Sequence, residues 1–223
     1  MTKALYFYKL LNNDNGRIIQ AEYIDKIIQE HFHFDHIEFI ETGVSSGEYD
    51  NFGLYFAKLI EDKGGSYNSV DINEDYINKA KNLFEEHLLG FTPNLHLGDS
   101  VQYLKFYTGS PNLVHLDSYD LNITNPLPSM LHHWQEFESI RHKMPSGSIL
   151  IIDDNYLKGT VVYWNIYRGK ELIEVQPTNI NYDIVGKGGL IYTAYLDGKL
   201  SEWELLGDHY KVGENVKLIF KKK

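Results

Sequence analysis

The stretch HIEFIETGVSSGEYDNFGLYFAKLIEDKGGSYNSVDI, residues 36–72, decides the fold. HIEFIE (36–41) is a short β-rich run, and the turn TGVSSGEYDN leads from it into FGLYFAKLIEDK. That segment spaces its apolar residues as a helix does and stops at Gly64-Gly65, after which SYNSVDI (66–72) is again β-rich. Strand, helix and strand in such quick succession imply a parallel pair joined by a right-handed crossover.

The same rhythm continues outward. NEDYINKAKNLFEEHLL is a helix with Asn73 as N-cap, PNLHLGD (93–99) a third strand, and SVQYLKFYTG a helix that Asp99 can cap. PNLVHLDSYD (111–120) is a fourth strand, SMLHHWQEFESIRHKM a fourth helix, and GSILIIDDN a fifth strand. Beyond it, TVVYWNIYRGKELIEVQP (160–177) reads as a β-hairpin turning at RGKE, followed by a helix near 187–199 and an antiparallel pair, SEWELLGDHY and VKLIFKK. Upstream, RIIQAEYIDKIIQEHFH (17–33) is an amphipathic helix. The fold class is α/β, a doubly wound, mostly parallel sheet with helices on both faces. One domain spans 1–223, with 1–35 as an N-terminal helical extension and 156–186 as the inserted hairpin.

Composition bounds the function. With 223 residues, 43% hydrophobic, the chain closes one full-sized core, and its formal net charge of -10 repels phosphate backbones and anionic lipid surfaces. Nucleic acid and membrane are therefore not expected partners. No apolar run of about 18 residues occurs, no signal-cleavage pattern opens the chain and it has no cysteine, so a soluble, cytoplasmic protein is expected. The lysines ending VKLIFKKK read as guards of an exposed edge strand, which argues against a dimer through that edge and leaves the oligomeric state open.

In an open doubly wound sheet, ligands bind beyond the carboxyl ends of the strands. Here those ends carry Glu41 with a glycine loop, Asp71, Gly98-Asp99-Ser100, Asp117, and Asp153-Asp154. The first loop, E-T-G-V-S-S-G, is not G-x-G-x-x-G, and a carboxylate before the glycines would repel a pyrophosphate. It would favour a ligand with ammonium and sulfonium charge, while Asp71 stands where nucleotide-binding sheets put their ribose-hydroxyl acceptor. S-adenosylmethionine meets both demands.

IEFIETGVSSG, SVDIN, LHLGDS and VHLDSYD resemble, over nearly the whole chain, the successive cofactor motifs of the class I S-adenosylmethionine-dependent methyltransferases. The resemblance implies a seven-stranded Rossmann-like sheet. It implies Glu41, Gly43, Ser45 and Gly47 along the methionine moiety, Asp71 on the ribose hydroxyls, Gly98, Asp99 and Ser100 at the adenine, and Asp117 beside the cofactor. The long SSGEYDNFG segment departs from the pattern and leaves contacts from Glu48 or Asp50 open.

With strands four and five as neighbours, Asp117, Asp153 and Asp154 converge, and protons or a cation must offset their repulsion. An all-oxygen set suits Mg²⁺ (or Mn²⁺). An Asp ending strand four and an acidic pair ending strand five are similar to the metal-dependent O-methyltransferases acting on macrolide sugars and catechols, which implies Asp117, Asp153 and Asp154 as ligands, with Asn155 the alternative if the register slips. The metal would lower the pKa of a substrate hydroxyl and hold it in line with the sulfonium methyl. Asp120, His132 and His133 are the candidates for a general base, with Asp117 at the catalytic centre.

The acceptor wall is expected from the loop SYDLNITNPLPS (118–129) and the hairpin, whose Tyr119, Asn122, Asn125, Tyr163, Trp164 and Tyr167 suit a sugar ring. A small-molecule hydroxyl, first of a sugar or glycoside and second of a catechol or other phenol, is the expected acceptor. NPLP lacks the position and third residue of the Asn-Pro-Pro-aromatic motif of amino-methylating enzymes, which disfavours nucleobases. The alternatives are a nicotinamide-dependent oxidoreductase, supported by Asp71 and a glycine turn, and a non-catalytic binding module.

Overall fold

A computed structural model describes residues 1–12, 14–47, 51–157, 161–168, 171–179, 184–207 and 216–223, with the side chains of residue 15 and of 158–183 left out. Glu48, Asp50, the RGKE turn centre and the side chains of Tyr163, Trp164 and Tyr167 lie outside the described residues.

Two helices open the chain, α1 (Lys3–Leu11) and α2 (Asn15–His31). The βα units follow: β1 (Ile37–Thr42), α3 (Phe52–Lys63), β2 (Gly65–Asp71), α4 (Glu74–His87), β3 (Asn94–Leu97), α5 (Ser100–Phe106), β4 (Leu113–Leu116), α6 (Leu127–Ile140) and β5 (Ile149–Leu157). Then come β6 (Val161–Arg168), β7 (Glu171–Asn179), β8 (Ile184–Gly186), α7 (Gly189–Leu196), β9 (Trp203–Gly207) and β10 (Val216–Lys222). The expected helix caps form: Asn73 accepts from Asp75 N at 2.9 Å and Asp99 from Gln102 N at 2.8 Å. Helix α1 was not expected from sequence; Thr2 caps it, and Ala4, Leu5 and Tyr8 bury one face of its nine residues.

The main sheet runs β3-β2-β1-β4-β5-β10-β9, with β8 added antiparallel to β5 and β6-β7 forming a separate hairpin. The first five strands pair in parallel, whereas β10 pairs antiparallel to both β5 and β9. Alternation splits the core between the faces. Phe39, Tyr67, Leu113, Ile151 and Ile219 pack under the helices α1 to α4. Ile40, Val114, Leu116, Ile152 and Leu218 pack against α6 and α7.

The terminal strand corrects one expectation. VKLIFKK is not an exposed edge; β10 lies between β5 and β9 with Val216 through Phe220 buried. Its lysines guard nothing: Lys222 Nζ donates to Arg141 O and Met144 O at 2.8 and 2.7 Å, and Lys217 is buried. Neither Lys217 nor Lys222 therefore bears on a dimer through that strand.

Candidate active site

The loops at the carboxyl ends of β1 to β4 enclose a pocket of about 430 Å³ that includes Gly43, Asp71, Gly98, Asp99, Ser100 and His132. The positions expected around a ribose and adenine are thus gathered into one cavity. Asp71 is held by two backbone amides, Val44 N at 3.1 Å on one oxygen and Asn73 N at 2.7 Å on the other. Gly43 has φ +78, and a Cβ there would lie 2.4 Å from Asp117 O, so only glycine lets the β1 loop pass against the end of β4.

Three other expected cofactor contacts sit elsewhere. Glu41 is 1% exposed and points into the core, because its place on β1 shares a face with Phe39. It accepts from Tyr67 OH at 2.6 Å and Ser69 Oγ at 3.2 Å, and lies 3.3 Å from both Ser45 Oγ and His115 Nδ1. Ser45 is buried too, and its Oγ accepts from Gly53 N at 2.8 Å at the start of α3. Gly47 has φ +118, a conformation that favours glycine, and is not among the residues lining that pocket.

A second pocket, about 410 Å³, opens beside the first, and Asp117, Asp120, Asp153 and Asp154 line it together with Arg17 from α2. The three expected acids do converge, but two lysines stand among them. Lys187 Nζ lies 2.5 Å from Asp117 Oδ1 and 3.0 Å from Asp154 Oδ2, while Lys217 pairs with Asp153. Their side chains are only 2% and 5% exposed. Burial disfavours the Lys187 charge, yet Asp117, Asp154 and Asp153 hold its pKa well above the usual lysine value. Burial likewise works against the Asp153 carboxylate, but Lys217, His115 and Lys187 hold it far below its ordinary range.

This arrangement does not fit a resident divalent cation. His115, Asp117 and Asp153 do present ligand atoms within 4.8 Å of one another. Burial opposes charge on His115, but the Glu41 hydrogen bond and the Asp117 charge raise its pKa, which works against its giving a lone pair to a metal. A dication there would also face two buried ammonium groups at close range. Asn155 is no substitute ligand: its amide donates to Ile152 O, Asp153 O and Val216 O, and its oxygen accepts from Gly188 N at 2.7 Å.

The base candidates separate cleanly. Asp120 borders both pockets. His132 lines the first, with Nε2 3.0 Å from Ser100 Oγ and 3.3 Å from Glu136 Oε1. Burial opposes its charge, but Glu136 and Asp99 raise its pKa above the ordinary histidine value. His133 is fully buried, its Nδ1 donating to Ser129 O at 2.8 Å, and burial drives its pKa down to about 4. Glu136, which sequence reasoning missed, joins the elements around this corner. Ser118 Oγ and Thr42 Oγ1 donate to it at 2.7 and 3.3 Å. Burial alone would raise its carboxyl, but His133 and the His132 hydrogen bond bring it down to about 2.

His133 makes stability depend on pH. Its folded pKa of about 4 lies below the ordinary 6.5, so the folded chain binds that proton less readily, and stability falls as pH drops from 6.5 to about 4. The loss is on the order of 3 kcal/mol. Urea unfolding at pH 7 and pH 4.5 is expected to show a larger drop for the wild type than for His133→Gln; equal drops would clear His133 of this role.

No family model and no curated protein matches the sequence. Solved structures do match. The PH0226 protein from Pyrococcus horikoshii OT3 aligns with a TM-score of 0.56 at 16% identity, over 95% of this chain and 93% of that one. An O-methyltransferase from Bacillus cereus in complex with SAH gives 0.56 at 13% identity, over 92% and 80%. The chain has the class I methyltransferase fold. An rRNA methylase from Streptococcus thermophilus shares it too, with a TM-score of 0.54 at 11% identity over 95% and 98%. At such identities the methyltransferase fold is what is shared, and the acceptor is a separate question.

Proposed function

We propose that the protein transfers a methyl group from S-adenosylmethionine to a hydroxyl of a small polar molecule, a sugar or glycoside first and a catechol or other phenol second. The observation that carries this reading is Asp120, which borders both the pocket holding Asp71 and the pocket holding Asp117 and Lys187. A group at that junction is placed to meet both reactants.

Bound S-adenosylmethionine supplies an electrophilic methyl on sulfur; as the acceptor oxygen takes it, the carbon–sulfur bond breaks, its electron pair stays on sulfur and neutral S-adenosylhomocysteine (SAH) leaves. Asp71, fixed by two amides, accepts from the ribose hydroxyls. Asp120 takes the proton that the hydroxyl loses, in the role of general base. The Mg²⁺ (or Mn²⁺) expected from sequence has no part in this scheme. The net charge of -10 and the acids around the second pocket speak against an RNA acceptor.

The test is ligand-induced stabilisation with SAH and with NAD as separate probes. SAH at about 100 times its dissociation constant is expected to stabilise the fold by about 2.7 kcal/mol, and NAD not at all. Losing two charge-assisted hydrogen bonds, Asp71→Ala is expected to weaken SAH by about 10- to 100-fold. Stabilisation by NAD and not by SAH would turn the reading to an oxidoreductase.

A further inference from the structure

We propose that Lys187 is the built-in cation of the acceptor pocket, its ammonium standing between Asp117 and Asp154 where a metal-dependent enzyme would hold a divalent ion, and donating a hydrogen bond to the acceptor oxygen. This rests on reading the second pocket as the acceptor site.

The backbone that delivers Lys187 is clamped to β5. Lys187 N donates to Asp154 O at 3.1 Å and Gly188 N to Asn155 Oδ1 at 2.7 Å. Gly186 has φ +153, and a Cβ there would lie 2.2 Å from Asp154 O, so a side chain at 186 would push the loop away. The ammonium is therefore placed by the sheet itself. It offers three hydrogens. Two go to Asp117 Oδ1 and Asp154 Oδ2, while the remaining contact, Asp117 O at 3.4 Å, is long enough to yield to a better oxygen.

Burying an ammonium is costly even when it is paired, and replacing Lys187 together with its acids by apolar side chains would fill the same space at less cost. What the charge adds is a fixed donor on a pocket wall. A positive charge aimed at an oxygen that gains negative charge stabilises the transition state without any reorganisation at the moment of reaction. Through the step Lys187 keeps all its protons: the hydroxyl proton goes to Asp120, the methyl to oxygen and the electron pair to sulfur.

The experiment titrates Mn²⁺ into the wild type and into Lys187→Ala, following the ion by electron paramagnetic resonance, with SAH stabilisation measured on both. The wild type is expected to take up no Mn²⁺ at submillimolar concentration, while Lys187→Ala, in which that ammonium no longer faces Asp117 and Asp154, gains a manganese site at those two carboxylates and still responds to SAH. With an acceptor found by screening sugars and catechols, wild-type turnover is expected to be indifferent to EDTA, and Lys187→Met to lower kcat by about 100-fold with KM little changed. Submillimolar Mn²⁺ binding to the wild type, lost in Asp117→Asn, overturns the proposal, as does full turnover in Lys187→Met. If Lys187→Ala does not fold, the wild-type titration decides alone. A wild type that ignores SAH refutes the methyltransferase reading; one that binds both SAH and Mn²⁺ refutes only the role of Lys187.

Discussion

Glu136→Leu is expected to cost about 3–5 kcal/mol, the range for removing one member of a buried charge cluster. The carboxylate is fully buried and serves Ser118 Oγ, Thr42 Oγ1 and His132 together. Leucine would leave those groups without their acceptor, two of them, Ser118 and His132, on the wall of the pocket that holds Asp71. For a chain of this size the loss corresponds to a fall in Tm on the order of 10 °C. Glu136→Gln, which keeps an acceptor but not the charge, should recover part of it. Urea unfolding of both variants checks this; a leucine variant within about 0.5 kcal/mol of wild type, the scatter of ordinary surface substitutions, would sink the idea that Glu136 organises the corner.

Gly43→Ala carries the second large effect. A non-glycine residue at φ +78 costs about 1–3 kcal/mol in backbone strain. The added carbon would meet Asp117 O at 2.4 Å and Ser118 Cα at 2.9 Å, backbone atoms that cannot swing aside. The ends of β1 and β4 must then part, and both pockets are built on those ends. A displacement of about 1 Å at such a site can cost about 100-fold, which is the loss of SAH affinity expected by calorimetry. Unchanged affinity would show that the loop yields without moving the pocket that holds Asp71.

Local signals in the chain were informative where the physics is local. Helix α3 spans Phe52–Lys63 as its apolar spacing predicts, and Asn73 and Asp99 cap as their positions before acidic or polar first turns indicate. The strand ends converged as a doubly wound sheet requires, so Asp71, Asp99 and Ser100 share one pocket and Asp117, Asp153 and Asp154 the other. Errors arose where partners come from afar. Glu41 was assigned to the cofactor because it precedes a glycine loop, but strand alternation turns it inward to His115, a residue 74 positions away. The acids read as a metal site because their mutual repulsion calls for a cation and their pattern is similar to that of the metal-dependent O-methyltransferases; the cations beside them, Lys187 and Lys217, arrive from distant positions in the chain. Glu136 did carry a signal, since it follows His132 and His133 by one helical turn, and that spacing brings their side chains together.

The position of β10 also bears on how a growing chain reaches this structure. During synthesis the domain's earlier parts emerge first, and β1 to β5 can pair as soon as residue 157 is available. Until Val216–Lys222 follows, β5 lacks its antiparallel neighbour, Asp153 lacks Lys217 and β9 has no strand to join. The second pocket is therefore completed late: the residues lining the pocket that holds Asp71 have all emerged by His132, while those lining the pocket that holds Asp117 wait for Lys217.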